Sequence, residues 1–264
     1  MKLIVRCSSG DTIMMNDRSG KKMGETAKKE FRKLYIREYF GREELVKSKY
    51  LDKGNEREQD AITLLTRFNK RVYRKNSERL TNDFVTGEVD IYIGESIRSA
   101  EEIFDTKCSW SLFSFLEANG EDYKWQMTGY MWLTGAQRAT VSYCLVNGTV
   151  KHIDDEKRRA SYDYGVDYEN DPKYILRCQQ IERNHIFDMS EFQKEYSWYD
   201  LHSPVSTWRW DIPMDKRVKQ FSFERNESDI ASLKNRIVEG REYLVNEFQI
   251  SSQLPLQPVD ANQI

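Results

Sequence analysis

Apolar side chains recur at two different spacings along this chain, and the changes between them mark out its elements. From about 24 to 40, Ala27, Phe31, Leu34, Tyr35 and Tyr39 follow at steps of three and four, which predicts a helix with one apolar stripe. Residues of about 53 to 70 repeat that pattern after Gly54, with Ala61, Leu64, Leu65 and Phe68 on one face. Ahead of both lie an apolar start, Leu3-Ile4-Val5, a polar turn at Cys7 to Asp11 and a basic loop at Asp17 to Lys22. The period then falls to two. Residues 80 to 86, 89 to 93 and 101 to 107 read as short strands, parted by Thr86-Gly87 and by Gly94-Glu95-Ser96, and together they predict a meander with its strand ends on one rim. Helical spacing returns over 111 to 118 and 122 to 134, the second stretch stopping at Gly135. Ala139 to Val146 is an apolar strand expected to join the same sheet. Near the end, Arg217 to Arg225 alternates as a strand, and Ser228 to Phe248 reads as a long amphipathic helix opened by Glu227-Ser228-Asp229.

The stretch from His152 to Trp210 fits neither period well. It holds an acidic, tyrosine-rich segment (Ser161 to Asn170), helical patterns at 171 to 184 and around 190 to 199, and a loop with Trp208 and Trp210. An insertion packed on the core is expected, its Trp and Tyr residues serving as packing before base stacking. The last residues, 251 to 264, have the composition of a disordered tail. At 264 residues the chain is long enough for one substantial hydrophobic core, which predicts a single domain over 1 to 250 with 152 to 210 inserted in it.

Composition removes several classes of function. No apolar run approaches the ~20 residues of a membrane helix, and Met1 to Arg6 is too short for a signal peptide. The four cysteines are scattered without a C-x-x-C pair, against a zinc or iron–sulfur site and a disulfide framework, so a reducing cytoplasm is expected. Three isolated histidines leave carboxylates and lysines as the available catalytic tools. The net charge of -2 hides an asymmetry: residues 1 to 80 hold 21 Lys and Arg against 12 Asp and Glu, leaving 20 against 31 in the remainder. A basic face for a polyanion is one explanation and a solvated helix surface is another.

Chemistry gathers in Gly87-Glu88-Val89-Asp90 and Asp105-Thr106-Lys107. Residues two apart on a strand share a face, and adjacent antiparallel strands would bring Asp90 to the Asp105/Lys107 pair. Two clustered carboxylates repel unless a hard cation lies between them, which predicts a magnesium site with manganese as a substitute. Asp90 and Asp105 would be ligands, with the Thr106 carbonyl, and Lys107 would orient the attacking water or lower its pKa. Upstream, Glu58 supplies a third helix carboxylate, with Glu56 as its rival on another face. Downstream, Gln126 and Tyr130 stand i, i+4 on one helix face, where the Gln amide could hold the water or a phosphate oxygen.

Gly54 to Ala61, Gly87-x-x-Asp90, Asp105-Thr106-Lys107-Cys108 and Gln126-x-x-x-Tyr130-Met131-Trp132 resemble, in order and spacing, the motifs of the phage lambda exonuclease and YqaJ-type viral recombinase nucleases, within the PD-(D/E)XK superfamily. Val5-Arg6-Cys7-Ser8-Ser9 is similar to the short Arg-x-Ser-Ser opening of phage members. The resemblance implies an α/β restriction-endonuclease-like core, with a central mixed β-sheet flanked by helices, a helical insertion before the last strand and a C-terminal helix. It implies a metal-dependent exonuclease acting on double-stranded DNA from a 5′ end and feeding a single-strand annealing protein. Glu58, Asp90 and Asp105 would then stand at the metals, Lys107 and Gln126 at the water, and Arg6, Ser8 and Ser9 near the terminal phosphate, with Tyr130 beside them. Asp105 departs from the Glu frequent at that position and is one methylene shorter. The segment 152 to 210 is longer than the compact core requires, which bears on the trimeric ring of some relatives. A structure-selective or restriction-type endonuclease would use the same residues, and a silent DNA-binding or assembly protein would keep the sheet without the chemistry.

Overall fold

The computed structural model describes residues 3–44, 48–164 and 168–249; the tail expected to be disordered lies outside them. The chain opens with β1 (Val5–Arg6), a 3-10 turn over Cys7–Ser9 and the short α1 (Gly10–Ile13). The segment read as a plain polar turn is therefore helical, with Cys7 and Gly10 buried. Next come α2 (Glu25–Phe40) and α3 (Lys49–Asn69). Gly41, with φ of 60°, ends α2 in the left-handed conformation that suits glycine. Helix α3 starts four residues before the expected 53, because the Ser48 side chain caps it by accepting the Tyr50 N–H. Gly54 thus lies inside the helix and not at its head.

Two sheets follow. In the smaller, β1 pairs in parallel with β4 (Val85–Gly87), which pairs antiparallel with β3 (Leu80–Thr81). The single strand expected over 80 to 86 is in fact this hairpin. Asn82 Oδ1 accepts the N–H groups of Phe84 and Val85, both at 2.8 Å, and this local turn breaks the strand and removes it from the expected meander. The larger sheet has the order β2 (Arg74–Lys75), β5 (Ile91–Gly94), β6 (Ala100–Cys108), β7 (Arg138–Cys144), β8 (Val218–Glu224). All its pairs are antiparallel except β6 with β7, whose parallel run is made possible by the crossover through α4 (Leu112–Glu117) and α5 (Lys124–Thr134).

The faces of β6 sort its residues. Phe104 packs with Ile91, Cys144 and α3 residues Ala61, Ile62, Leu64 and Leu65 on one side. Ile103 joins Ala139, Val141 and α5 residues Met127, Tyr130 and Met131 on the other, where α2 and α9 (Glu227–Phe248) complete the layer. Alternation places Asp105 and Lys107 with Ile103, on the α5 side. Helix α5 lies unusually close to the amino-terminal segment. A Cβ on Gly129 would stand 2.8 Å from Cys7 Sγ, and one on Gly87 would stand 2.6 Å from the Tyr130 ring.

Between β7 and β8 the chain forms α6 (Val150–Ser161), α7 (Pro172–His185) and α8 (Met189–Glu195). Helix α6 was not foreseen; its start is fixed by a reciprocal cap between Thr149 and His152. These helices share an apolar cluster of Val150, Ile153, Ile181, Ile186, Met189 and Phe192, with Trp208 packed against it, while Trp198 is left exposed. Inside it, Glu182 is fully buried and accepts from Lys157 Nζ (2.8 Å) and the N–H groups of His202 (2.8 Å) and Ser203 (2.9 Å). Burial alone would raise the Glu182 pKa, but these donors hold it below the usual carboxylate range. No helix of the described residues is long and apolar enough to cross a membrane.

Two glycine variants test the packing. Gly87→Ala should destabilise the protein by about 1–3 kcal/mol, since the Tyr130 ring must move. Gly54→Ala meets nothing within 4 Å and should stabilise by about 1 kcal/mol as an interior helix position. Urea unfolding of both reads the difference, and equal effects of the same sign would contradict the packing described.

Candidate active site

Strand β5 begins at Ile91, whose partner on β6 is Phe104. Beyond that pair the two strands part, so the Thr106 N–H has no ladder acceptor on β5. Asp90, in the link just before β5 and not within the strand as expected, fills that role. Its Oδ2 accepts the Thr106 N–H at 2.6 Å and the Thr106 hydroxyl at 2.9 Å. The link itself is fixed by the buried Asn76, whose N–H donates to the Asp90 carbonyl and whose amide donates to the Val89 carbonyl, each at 2.9 Å.

Asp105 is 3% exposed. Its Oδ1 accepts from Gln126 Nε2 at 3.0 Å, and Lys107 Nζ stands 2.5 Å from its Oδ2. That ion pair lacks hydrogen-bond alignment, and Oδ2 has no hydrogen-bond partner. Burial, and after it the charge of Asp105, push the Asp90 carboxyl up to about 7, against the Thr106 donors and Lys107. Burial pulls the Lys107 pKa down, but the contact with Asp105 outweighs it and keeps the ammonium protonated above its usual range. The Tyr123 ring lies 5.1 Å from Lys107 Nζ, a cation–π contact the sequence did not suggest.

Gln126 Nε2 also donates to Tyr130 Oη at 3.1 Å, as the i, i+4 spacing implies. With both amide hydrogens committed, only its carbonyl is left, so it can accept from a water but cannot donate to a phosphate. Its position is set from far away in the chain: Asp11 accepts the N–H groups of Trp125 (3.0 Å) and Gln126 (3.1 Å) at the first turn of α5.

Glu58, Asp90, Thr106 and Lys107 line one cavity of about 420 Å³. Glu58 pairs there with Lys75 at 3.1 Å, whereas Glu56 turns to Lys151 and His152 on another side of α3. A second cavity, of about 610 Å³, is lined by Arg6, Ser8, Arg37, Arg79, Gly87 and Tyr130 among others. Ser9 instead donates to Glu30 at 2.7 Å and lines a neighbouring recess. Each of the three arginines has an exposed glutamate partner: Arg6 with Glu43, Arg37 with Glu38, Arg79 with Glu88. Arg37 and Arg79 escaped the sequence reading because only the fold brings them to Arg6.

The residues fit a hard divalent cation. The charges of Asp90 and Asp105 interact, Glu58 shares a cavity with Asp90, and Asp105 Oδ2, buried beside Lys107, has no hydrogen-bond partner. Among the described residues no three Asp, Glu, His or Cys side chains already form a coordination group, Glu58 and Asp105 each being drawn to a lysine.

A central mixed sheet with helices on both faces is the architecture of PD-(D/E)XK exonuclease structures. The structure of a phage-related exonuclease from Haemophilus somnus 129PT matches with a TM-score of 0.65 and 26% identity, covering 94% of this chain and 96% of that one. An alkaline exonuclease from Laribacter hongkongensis, LHK-Exo, matches with a TM-score of 0.55 and 13% identity over 94% and 91% of the two chains. Its complex with dAMP gives 0.56 and 12% over the same shares. No protein-family model and no curated protein sequence matches. The chain is a structural match to the phage-related and alkaline exonucleases of the lambda exonuclease/YqaJ family.

Behind the cavity, His185 packs edge-on against Trp110, the ring centroids 4.9 Å apart, and its buried Nδ1 has no partner. Burial, then the positive charge of Lys53, lower its pKa to about 3 from the usual 6.5. The unfolded chain therefore takes up this proton first as the pH falls, and the folded protein loses stability between pH 6.5 and about 3. The slope should be about 1.4 kcal/mol per pH unit. His185→Phe should flatten acid unfolding by that slope, and an unchanged pH profile would contradict a neutral buried imidazole.

Proposed function

We propose that this protein is a magnesium-dependent deoxyribonuclease that removes nucleotides from a 5′ end of linear double-stranded DNA. One observation carries the reading: Gln126 and Tyr130 connect the buried Asp105 to the arginine-lined cavity, so that carboxylate chemistry and a phosphate site adjoin. In this reading Glu58, Asp90 and Asp105, with the Thr106 carbonyl, hold the metal. When bound, magnesium polarises the phosphoryl oxygen and makes a water nucleophilic near neutral pH.

The protein's own groups supply the rest. Lys107, kept as an ammonium, orients the water by donation and offsets the charge that builds on the pentacovalent phosphorus. The free carbonyl of Gln126 accepts a water hydrogen, and its amide keeps Asp105 from rotating. Tyr130, accepting from Gln126, keeps its own hydrogen for the second cavity. There Arg6, Arg37, Arg79 and Ser8 take a terminal 5′-phosphate, which displaces exposed ion pairs worth only about 0–1 kcal/mol each. LHK-Exo in complex with dAMP supports a deoxynucleotide as the unit released. Resection of this polarity exposes single strands for an annealing protein, the role in phage-type recombination that the motifs imply.

Cleavage of linear duplex in magnesium is the test. Lys107→Ala and Asp105→Ala should each lower kcat by about 10²–10⁴, and chelation of the metal should abolish activity. Undiminished cleavage by either variant would end the assignment, and rapid nicking of closed circular DNA would replace the exonuclease with an endonuclease. Separately, Arg37→Ala and Arg79→Ala should reduce the preference for 5′-phosphorylated over 5′-hydroxyl ends by about tenfold, read as kcat/KM on the two substrates. A preference that survives both changes would place the phosphate elsewhere.

A further inference from the structure

The cavity that holds Glu58, Asp90 and Lys107 has a second wall that phosphodiester chemistry does not need. It is made by Tyr50 and Trp110, with Ser109 beside them. Tyr50 lies at the start of α3, 58% exposed. Its ring meets that of Trp110 edge-to-face at 74°, the centroids 5.7 Å apart, and the two rings form a corner whose cationic neighbour Lys49 a flat ligand would displace.

The corner is held rigidly on its inner side. Trp110 is braced by His152 and His185, whose rings contact it edge-on at 5.4 and 4.9 Å. Lys53, fully buried, fixes the backbone at this point by donating to the carbonyls of Ser109 (2.8 Å) and Trp110 (3.3 Å). Lys49 lies 4.7 Å from the Trp110 ring and 5.6 Å from the Tyr50 ring. Burying a lysine amine to hold two backbone carbonyls in a dry interior is costly unless the placement it secures is used. The exposed tyrosine is not required for that bracing.

Two further features point to a ligand. Ser109 is 6% exposed, lines the cavity, and its Oγ has no hydrogen-bond partner. Trp110 follows Lys107 by three residues, a span of at most about 10 Å, so a group held in the corner is within reach of the cleft. A flat, π-faced group carrying hydrogen-bonding edges and tethered to a phosphate meets all of these constraints.

We infer that Tyr50 and Trp110 form a stacking site for a nucleobase of the cut strand, next to the scissile phosphate. This rests on the nuclease reading above and adds the group that seats the nucleotide. The base stacks on one ring with its edge towards the other, and Ser109 Oγ offers a hydrogen bond to that edge. Stacking accepts every base, so the site confers position without sequence preference.

The test uses 5′-phosphorylated linear duplexes, intact or with one abasic nucleotide at each of the first four positions from the 5′ end. Affinity is read in calcium by fluorescence anisotropy, and cleavage is read in magnesium. For the wild-type protein, one abasic position should weaken binding by about tenfold or more. Tyr50→Leu should weaken binding of the intact duplex by a similar factor and add little further loss on that abasic duplex. Tyr50→Phe, which keeps the ring, should restore most of the affinity. Circular dichroism checks the folding of each variant, and the exposed position of Tyr50 makes it the safer choice over Trp110. Equal losses by Tyr50→Leu on intact and abasic duplexes, or no loss on either, would overturn the stacking site even with cleavage intact. A wild type that shows the Tyr50-dependent binding but cuts no duplex would instead overturn the nuclease reading and leave the stacking site standing.

Discussion

Two carboxylates brought together out of water set the terms for the rest of this structure. Pairing of β5 with β6 fixes Asp90 and Asp105 on either side of Thr106, and burial makes their negative charges expensive. The protein answers with oriented donors, the Thr106 N–H and hydroxyl for Asp90 and the Gln126 amide for Asp105, and with the nearby charge of the Lys107 ammonium. The Thr106 N–H is free to serve only because β5 begins at Ile91 and the ladder stops there. A strand extended by one pair would satisfy the backbone and leave Asp90 without its donors.

The same demand explains how the helices are set. Gln126 reaches Asp105 only if α5 lies close over the sheet, and glycines at 87 and 129 remove the side chains that would hold it off. Asp11 then fixes the helix along its axis by binding its first N–H groups. The segment that carries Asp11 also carries Arg6 and Ser8, so anchoring α5 brings the second cavity to Tyr130. Seating the Gln126 amide and building the arginine-lined cavity are thus one packing event. On the other face, α3 contributes Glu58 to the cleft while its neighbour Glu56 is turned to α6, a choice that helical spacing makes for residues two apart.

What could be read from the sequence follows the range of each interaction. Asp105 and Lys107 on one strand face, and Gln126 with Tyr130 on one helix face, depend on local periodicity and are legible in the residues themselves. So are most elements, within a few positions. The missed features depend on contacts that periodicity does not encode. Asp11 acts on residues 114 and 115 positions away, and Arg6 meets Arg79 through the small sheet and Arg37 through the packing of α2. The hairpin at Asn82 was hidden by alternation on both sides of it, although an Asn-Asp pair is turn chemistry. Helix α6 was obscured by charge, since its apolar face is brief and its start rests on a side-chain cap.

The uneven charge of the chain acquires a physical sense in this arrangement. Under the nuclease reading proposed above, a site made of carboxylates would repel the phosphates it is to receive, and a cation in the cleft would offset that only locally. Attraction over a Debye length, about 8 Å at physiological salt, has to come from fixed positive groups nearby. Arg6, Arg37, Arg79, Lys49 and Lys75 all come from the first 80 residues: the arginines line the second cavity, Lys49 stands over the Trp110 ring, and Lys75 pairs with Glu58. Several are held by single exposed glutamates, contacts weak enough for a polyanion to exchange. The acidic excess falls in the later part of the chain, where the fully buried Glu182 is matched by Lys157 and backbone donors within the segment between β7 and β8. Net charge near zero therefore conceals a division in which the basic residues of the first 80 positions surround a cluster of carboxylates, the arrangement that the proposed reading requires.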